Sequence, residues 1–503
     1  MFSRLALNHT HQRKQLFKGL GIKCLGAFIK CSGTFAVTLA LALPSQAADL
    51  PLPDLGSAGS GVITPAQEYE LGQKWLRIYR AQVPTTNDPF VLSYTEKLIY
   101  GISRYSDLTD SRLSILVVEN PSLNAFAVPG GVVGIHTGLF NYAENEQQFS
   151  SVIAHELAHL SQRHYARKVE EQQQNTMITL AALLASVIVA ATTDGDAGIA
   201  AISATQAAAI DAQLRFSRGM EQEADRIGME TLVRAGMDPY AMPAMFEQIL
   251  KSTRYSRRPP EFLLTHPVTE SRISDSRNRA QQYPKKFYEK STEYELVKIR
   301  VSLNNTNNYG EDVRRFENEL RGNRFSKLAA QYGLVLSLTR AGKTERALTL
   351  AEELVAAEPE NIYFTVARAD VYAEKGDFET AVKALQEKLK THPNHHALNV
   401  RLAEVLMKAG RYNECAELLN RHVQRRPNDD YVWYLLAEVQ GLTGNILQVH
   451  LARAEYFALN GIFSKSEIQL RHALKRVKDD EHQKAKIEER LKEVRQLERE
   501  TLL

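Results

Sequence analysis

Four glycines spaced 34 residues apart place the strongest constraint on the fold of this 503-residue chain. These glycines are Gly342, Gly376, Gly410 and Gly444, and the same step is kept by Pro359, Pro393 and Pro427 and by Ala347, Ala381 and Cys415. A 34-residue period is typical of paired antiparallel helices, with glycine after the first helix, a small residue in the second and proline after the pair. One such hairpin cannot bury its apolar face alone, so the second half of the chain must be a stacked solenoid.

This period is that of tetratricopeptide repeats, which we predict over residues 325–480, followed by a charged C-terminal helix over residues 481–503. Gly461 follows Gly444 by half a repeat, so the helical phase continues while the motif decays. Aromatic residues at helical positions are expected to pack in the core; they are Tyr332, Tyr372, Tyr412 and Trp433. Repeat arrays form concave surfaces, and we therefore predict that this half binds peptides or protein segments.

The first half carries the segment His155-Glu156-Leu157-Ala158-His159. Residues four apart lie on one face of a helix, so both imidazoles can bind one zinc ion, and Glu156 can reach the water that the metal polarises. The competing interpretation is a helix with two core histidines, but burying two imidazoles and a carboxylate without a metal is unfavourable. We predict one Zn²⁺ per chain, with His155 and His159 as ligands and Glu156 as the general base.

A zinc ion held by two histidines needs a third protein ligand. The best candidate lies 62 residues beyond His159, where Glu221 and Asp225 are four apart on one helical face. Glu221 can bind the metal while Asp225 accepts the outer proton of a ligand histidine and fixes its tautomer. Glu223 is expected to point elsewhere, about 200° round the helix. From spacing alone, an ordinary solvated acidic face remains the alternative.

Four ordered motifs resemble the gluzincin family that includes the CAAX prenyl endopeptidases and bacterial heat-shock membrane proteases. They are the zinc-type helix, Glu221-x-x-Ala224-Asp225, the upstream run Asn124–Gly131 and the downstream run Leu264–Pro267. The matched region covers roughly residues 65–285. The resemblance implies a zincin-like metallopeptidase domain, which we place at residues 65–310, and supports Glu221 as the third ligand. The predicted fold class is mainly α with a small β-sheet.

Residues 115–118 and 132–135 favour short strands, with a tight turn at Pro129-Gly130-Gly131. A strand edge near a zinc helix could hold an extended peptide by main-chain pairing. The resemblance places the substrate edge here, and the candidate substrate-binding residues are Phe126, Ala127, Val128, Gly130, Gly131 and Val132. The alternative is a purely structural hairpin.

His266 precedes Pro267, which disfavours helix at that position. Three interpretations stay open: an oxyanion donor in catalysis, a ligand that blocks the open zinc position, or a structural loop histidine. The resemblance implies one of the two roles near the zinc. Arg272 is expected to be a structural ion-pair partner. His164, five residues beyond His159, falls off the ligand face and is expected at the surface.

The N-terminus resembles a secretory signal over residues 1–47, with cleavage expected after Ala47 and an extended arm at residues 48–64. Removal of the signal takes away six basic residues and lowers the formal net charge from +3 to −3, so nothing favours nucleic acid as a partner. Only Cys415 then remains, which excludes an intramolecular disulfide. Residues 176–210 predict an apolar helical hairpin whose most apolar part is shorter than the roughly 20 residues of a spanning helix. We expect it to contact a membrane or an apolar substrate, and a membrane-spanning segment is the alternative.

Signal, zincin and repeats together resemble periplasmic gluzincins that carry tetratricopeptide repeats. The resemblance implies a periplasmic zinc endopeptidase that holds or assists outer-membrane β-barrel proteins during assembly and degrades misassembled ones. The implied partners are these substrates and, through the repeats, the β-barrel assembly machinery. The alternative is a chaperone or scaffold for the same assembly process, based on the repeats and with little proteolysis.

Overall fold

The computed structural model describes residues 63–171, 184–185, 188, 216–253, 261–304 and 306–502. The predicted signal peptide, nearly all of the arm and nearly all of the apolar hairpin lie outside the described residues. None of the helices that it does describe has the length and apolar composition of a membrane-spanning segment.

The first half of the described chain surrounds a small sheet with helices. Its elements are α1 (Pro65–Gln82), α2 (Pro89–Ser103), β1 (Ser114–Val118), β2 (Ala125–Val128), β3 (Val132–His136), α3 (Thr137–Tyr142), α4 (Glu146–Ser161), α5 (His164–Glu171), α6 (Arg218–Arg234), α7 (Ala241–Thr253), α8 (Glu261–Thr265) and α9 (Glu270–Ala280). Both predicted strands are confirmed, and the segment between them forms a strand of its own.

The second half is helical. Its elements are α10 (Thr292–Asn304), α11 (Tyr309–Glu319), α12 (Lys327–Arg340), α13 (Thr344–Ala357), α14 (Ile362–Lys375), α15 (Phe378–Thr391), α16 (His396–Lys408), α17 (Tyr412–Arg425), α18 (Asp430–Leu442), α19 (Ile446–Leu459), α20 (Phe463–Leu474) and α21 (Glu481–Leu502). The predicted fold class, mainly α with a small β-sheet, is confirmed.

The sheet has the strand order β1-β3-β2, with β1 parallel and β2 antiparallel to β3. Phe126 pairs with Gly134 across the hairpin, and a Cβ at Gly134 would lie 2.0 Å from Cζ of Phe126. The Phe126 ring also packs on Trp75 and Tyr79 of α1. Glycine at position 134 therefore lets this ring close the core between the hairpin and α1.

Helices α4 and α6 pack closely because Gly228 removes a side chain at their contact. A Cβ at Gly228 would lie 3.1 Å from the backbone of Ala154. Each helix starts at a side-chain cap, with Asn145 accepting from Gln148 N–H and Ser217 accepting from Met220 N–H. The close approach brings the two predicted ligand segments, one on each helix, face to face.

The repeat prediction is confirmed by the glycines at hairpin turns. Gly342, Gly376, Gly410 and Gly444 each follow the first helix of a pair and have φ between +73° and +87°. This left-handed conformation suits glycine, since a Cβ would strain it. The small residues of the second helices, Ala347, Ala381 and Cys415, are fully buried. The repeat sequence thus fixes both the turns and the close helix packing.

The repeats lie against the peptidase half. Helix α2 packs on α16 of the repeats and on α10, which precedes them and is joined to Asp88 by a buried ion pair from Arg300 at 2.8 Å. Arg426, after α17, binds Glu96 of α2 at 2.7 Å. Helix α21, which caps the array, also packs against α1. These contacts pack the repeats against the peptidase half of the same chain.

Candidate metal centre

Helix α4 presents both histidines of the motif inside the core. His155 and His159 are buried, and their Nε2 atoms lie 3.0 Å apart. The helix spacing places the rings one above the other, with centroids 4.6 Å apart. The two nitrogens therefore converge on one point, as a shared ligand would require.

Helix α6 supplies the carboxylate. The oxygens of Glu221 lie 3.6 Å from His155 Nε2 and 3.4 Å from His159 Nε2. Tetrahedral zinc with ligand distances of about 2.0–2.1 Å separates its ligand atoms by about 3.4 Å. The donor atoms lie 3.0–3.6 Å apart, close to that spacing, and have the N/O chemistry that zinc prefers, so His155, His159 and Glu221 fit a zinc ion.

Electrostatics keep Glu221 ionised. Burial would raise the pKa of this carboxyl group, but the charges of His266 and Arg272 and hydrogen bonds from His159 and His266 hold it well below its ordinary value. Burial lowers the pKa of His159 well below its ordinary value, so this imidazole is neutral. An ionised carboxylate and a neutral imidazole are the forms that bind a metal.

Asp225 lies where the spacing predicts. Its Oδ1 is 3.0 Å from Nδ1 of His155, so it can accept the outer proton of that ring and leave Nε2 free for a metal. Such a contact fixes both the tautomer and the orientation of the ring.

The prediction that His164 lies at the surface is wrong. His164 is fully buried; its Nδ1 lies 2.8 Å from Nδ1 of His159 and its Nε2 lies 3.2 Å from Glu223. Helical spacing failed because α4 ends at Ser161 and Arg163 takes a positive φ of 51°, which turns His164 back onto His159. His164 thus contacts the outer nitrogen of His159 as Asp225 contacts that of His155, and Glu223 contacts His164 in turn.

Replacing His164 by phenylalanine should weaken zinc binding by about 10–100-fold, the usual effect of losing a hydrogen-bond partner of a ligand. The phenyl ring fills the same space but cannot bond His159 Nδ1. Competition with a chromogenic zinc chelator measures the change. The exposed His482→Phe is the matched control, and equal zinc affinity in both variants would contradict this role.

Arg272 ties the two acidic groups together. Its Nη1 lies 2.6 Å from Glu221 Oε2, and its Nη2 lies 2.7 Å from Asp225 Oδ1. The guanidinium also bonds the carbonyl of Pro267 at 2.8 Å. The predicted ion-pair role of Arg272 is confirmed, and the contact links α9 and the loop carrying His266 to the candidate ligands.

His266 lies among the ligand atoms. Its Nδ1 is 3.0 Å from Glu221 Oε1 and 3.4 Å from His155 Nε2, so these donors form one cluster with His159. Its ring stacks on Phe262 at 4.9 Å between centroids. The ring is therefore held with Nδ1 at the distance of a fourth ligand.

Glu156 is buried beside this cluster. Its Oε1 lies 3.5 Å from Nε2 of His266 and has no hydrogen-bond partner among the described residues. Burial raises the pKa of Glu156, opposed by the charges of His266 and His155 and by the backbone N–H of Ala127. A buried carboxylate with a raised pKa is a stronger proton acceptor than a solvated one.

The candidate substrate segment occupies β2 and the turn after it. Strand β2 pairs with β3 on one side and forms one end of the described sheet. His136 N–H bonds Asn124 O, so by alternation the backbone of Ala127 faces away from β3. A small cleft of about 70 Å³ is lined by Gly130, Gly131 and His159. Backbone groups of this segment thus lie near the candidate metal centre, whereas the Phe126 ring belongs to the core.

The site and the fold together define a metallopeptidase. A model of peptidase family M48 matches residues 93–280, and two tetratricopeptide-repeat models match residues 332–387 and 372–439. The predicted enzyme class is thereby confirmed at the level of the family.

Several relatives carry the name beta-barrel assembly-enhancing protease. The Escherichia coli O157:H7 protein is 37% identical over 321 residues, covering 64% of this chain and 66% of its own length. The Yersinia pestis protein is 37% identical over 334 residues, covering 65% and 67%. The chain belongs to the family of these beta-barrel assembly-enhancing proteases. A mitochondrial metalloendopeptidase, OMA1 of Schizosaccharomyces pombe, is 29% identical over 204 residues, covering 41% and 55%.

Proposed function

We propose that the chain is a zinc-dependent endopeptidase. The observation that carries the proposal is the convergence of His155 Nε2, His159 Nε2 and the two Glu221 oxygens, each nitrogen lying 3.4–3.6 Å from one oxygen and 3.0 Å from the other nitrogen, beside the buried carboxylate of Glu156. An N₂O donor set next to a carboxylate that can take a proton is the arrangement of hydrolytic zinc sites.

In this proposal each residue has one task. His155, His159 and Glu221 hold the metal, while Asp225 and His164 orient the imidazoles. Bound zinc supplies Lewis acidity toward the scissile carbonyl and the attacking water. Glu156 accepts the proton of that water and passes it to the leaving amine. The outward carbonyl of Ala127, whose N–H bonds Glu156, pairs with the extended substrate and holds its scissile bond beside Glu156.

Metal analysis tests whether the protein binds zinc and needs it for cleavage. We expect the purified protein to contain about one zinc per chain, because the site has three protein ligands and its histidines and carboxylates have fixed orientations. Elemental analysis measures the zinc, and casein cleavage measures activity before and after chelation. Activity should fall to background with the chelator and return with added zinc. Full cleavage by a metal-free protein would contradict the proposal.

We propose a periplasmic location and a second task for the repeats. Relatives of this chain are named for β-barrel assembly, and repeats of this kind bind protein segments. In this proposal residues 325–480 hold outer-membrane β-barrel proteins and contact the barrel assembly machinery, and the unit at residues 65–310 degrades misassembled chains. The predicted hairpin at residues 176–210 would make the peripheral contact with membrane or apolar substrate.

One observation supports the alternative function, a repeat-based scaffold or chaperone with little proteolysis. This observation is the position of His266. Its Nδ1 lies 3.0 Å from Glu221 and 3.4 Å from His155, at ligand spacing. A nitrogen at this distance would bind a zinc ion held by these residues and would take the place of the water that a catalytic zinc site needs. Of the roles open from the sequence, this spacing supports the blocking ligand over the oxyanion donor. In that role a bound zinc would displace the proton that the charges of Glu156 and Glu221 favour on the His266 ring, where they raise its pKa against the effect of burial.

Replacing His266 by alanine should therefore raise casein cleavage, by about tenfold or more if the histidine excludes water most of the time. The exposed His482→Ala serves as the matched control. Initial cleavage rates and zinc content should be measured together. A fall in rate with unchanged zinc would instead assign His266 to the transition state, and loss of zinc would make it a required ligand.

A further inference from the structure

A cavity of about 510 Å³ lies where the peptidase half meets the end of the repeat array. One wall is formed by α1, α2 and β1, and the other by the loop at Arg425–Asp430, the end of α19 and part of α21. Its lining includes neither Glu156 nor any candidate zinc ligand. The cavity is therefore separate from the metal centre and large enough for several residues of an extended chain.

The walls carry excess positive charge. Five arginines line the cavity against three acidic residues, but Arg490 is already paired with Glu455 and Glu493, which lie outside the lining. Two of the acids are already neutralised, because Arg426 binds Glu96 at 2.7 Å and Asp429 at 3.1 Å. The third, Asp430, accepts a hydrogen bond from Asn460 at 3.0 Å. A confined wall with this charge balance attracts anions.

Arg77 is the cation in this lining whose surroundings most favour the binding of an anion. Its Nε is buried and has no hydrogen-bond partner among the described residues, although buried guanidinium groups are usually paired. Burial lowers the pKa of Arg77, and the charge of Glu500 only partly opposes this effect. Arg425, across the cavity, is exposed. The two arginines belong to different halves of the molecule, so one ligand could bridge them.

The cavity also contains the edge of strand β1. Ser114 N–H bonds Gly131 O on the β3 side, whereas the carbonyl of Val117 faces the other way and accepts from Thr86 N–H at 2.8 Å. By this alternation, the backbone N–H and C=O of Ile115 also face away from β3, and Ile115 lines the cavity. A strand edge presented to a cavity can pair with the main chain of an extended peptide.

We propose that this cavity binds an acidic, extended peptide segment, with its main chain paired to β1 at Ile115 and its carboxylates bound by Arg77 and Arg425. Cations on both walls suit several carboxylates along a chain better than one compact anion. The open strand edge supplies hydrogen bonds that only a peptide backbone can complete. The site would hold a protein segment away from the metal centre and contact both halves of the molecule at once.

Fluorescence anisotropy tests this proposal on the full chain carrying Glu156→Gln, so that the probe is not cut. The probe is a fluorescein-labelled octapeptide of alternating valine and glutamate. Two matched peptides replace every glutamate by glutamine or methylate alternate backbone nitrogens. The protein variants are the double substitution Arg77→Gln with Arg425→Gln and, as control, the exposed Arg314→Gln.

We expect the double substitution to weaken binding of the acidic peptide at least tenfold, while Arg314→Gln leaves it unchanged. The glutamine peptide and the methylated peptide should each bind the parent protein at least tenfold more weakly. Equal binding by the double variant and the control would overturn the site, as would equal binding of the glutamine peptide. Equal binding of the methylated peptide would overturn the pairing with β1. The peptide comparisons stand even if the double variant folds poorly.

Discussion

Glu156→Gln should lower casein cleavage by at least about 100-fold while zinc content stays near one per chain. Removing a general base usually costs between about 10² and 10⁴ in rate, and glutamine cannot accept the proton. Glu156 is buried beside the donor cluster and contributes no ligand atom to it, so the amide should fit the same space without disturbing the metal. The cleavage rate and the zinc content, the latter from elemental analysis, should be measured on the same sample.

Glu230→Gln on α6 is the matched control for this substitution. Glu230 is about half exposed and lies 3.3 Å from Arg226, a surface pair of little energetic weight. The Glu230→Gln variant should therefore cleave casein at the rate of the parent protein. Undiminished cleavage by Glu156→Gln would remove this residue from the chemistry. If the variant restores envelope function in cells that lack the protein, the scaffold role outweighs cleavage.

Arg272→Met should lower the free energy of unfolding of the peptidase half by about 3–5 kcal/mol and release the metal. Arg272 is buried and binds both Glu221 and Asp225. Methionine fills part of the volume but leaves two buried carboxylates without their cation, which is the unfavourable way to break a buried ion pair. Urea unfolding followed by near-ultraviolet circular dichroism gives the stability, and elemental analysis gives the zinc.

Arg279→Met is the matched control because it lies on the same helix. Arg279 pairs with Asp275 at 2.9 Å, and both side chains are more than a third exposed. Such a surface pair contributes about 0–1 kcal/mol, so this variant should unfold close to the parent protein. A loss no larger than this in Arg272→Met would show that Glu221 and Asp225 do not depend on the guanidinium.

The three candidate ligands and the neighbouring Asp225 could be predicted because they form two pairs, each on a single helix. His155 and His159, like Glu221 and Asp225, are four residues apart, so helical geometry alone fixes their common face. His164 could not be predicted in this way. Its position depends on a left-handed residue at Arg163, which ends one helix and begins another, and no periodic pattern signals that turn.

The position of His266 also needed the folded chain. The proline after it predicts only a loop, and its approach to Glu221 depends on Arg272, which binds the carbonyl of Pro267 and the carboxylate of Glu221 together. The arginine-lined cavity is a further case. Arg77 and Arg425 are 348 positions apart in the sequence, and only the packing of α21 and the last repeats against α1 brings them to one space.

By itself, the sequence predicted the repeat architecture and the two helices that each place a pair of candidate site residues on one face, because these depend on spacings of 3.6 and 34 residues within continuous segments. Tertiary structure alone decided how the imidazoles are oriented, how close His266 lies to the candidate ligands, and which surfaces meet between the two halves. Those features depend on contacts between residues far apart in the chain, and burial in the folded core sets their charges and distances.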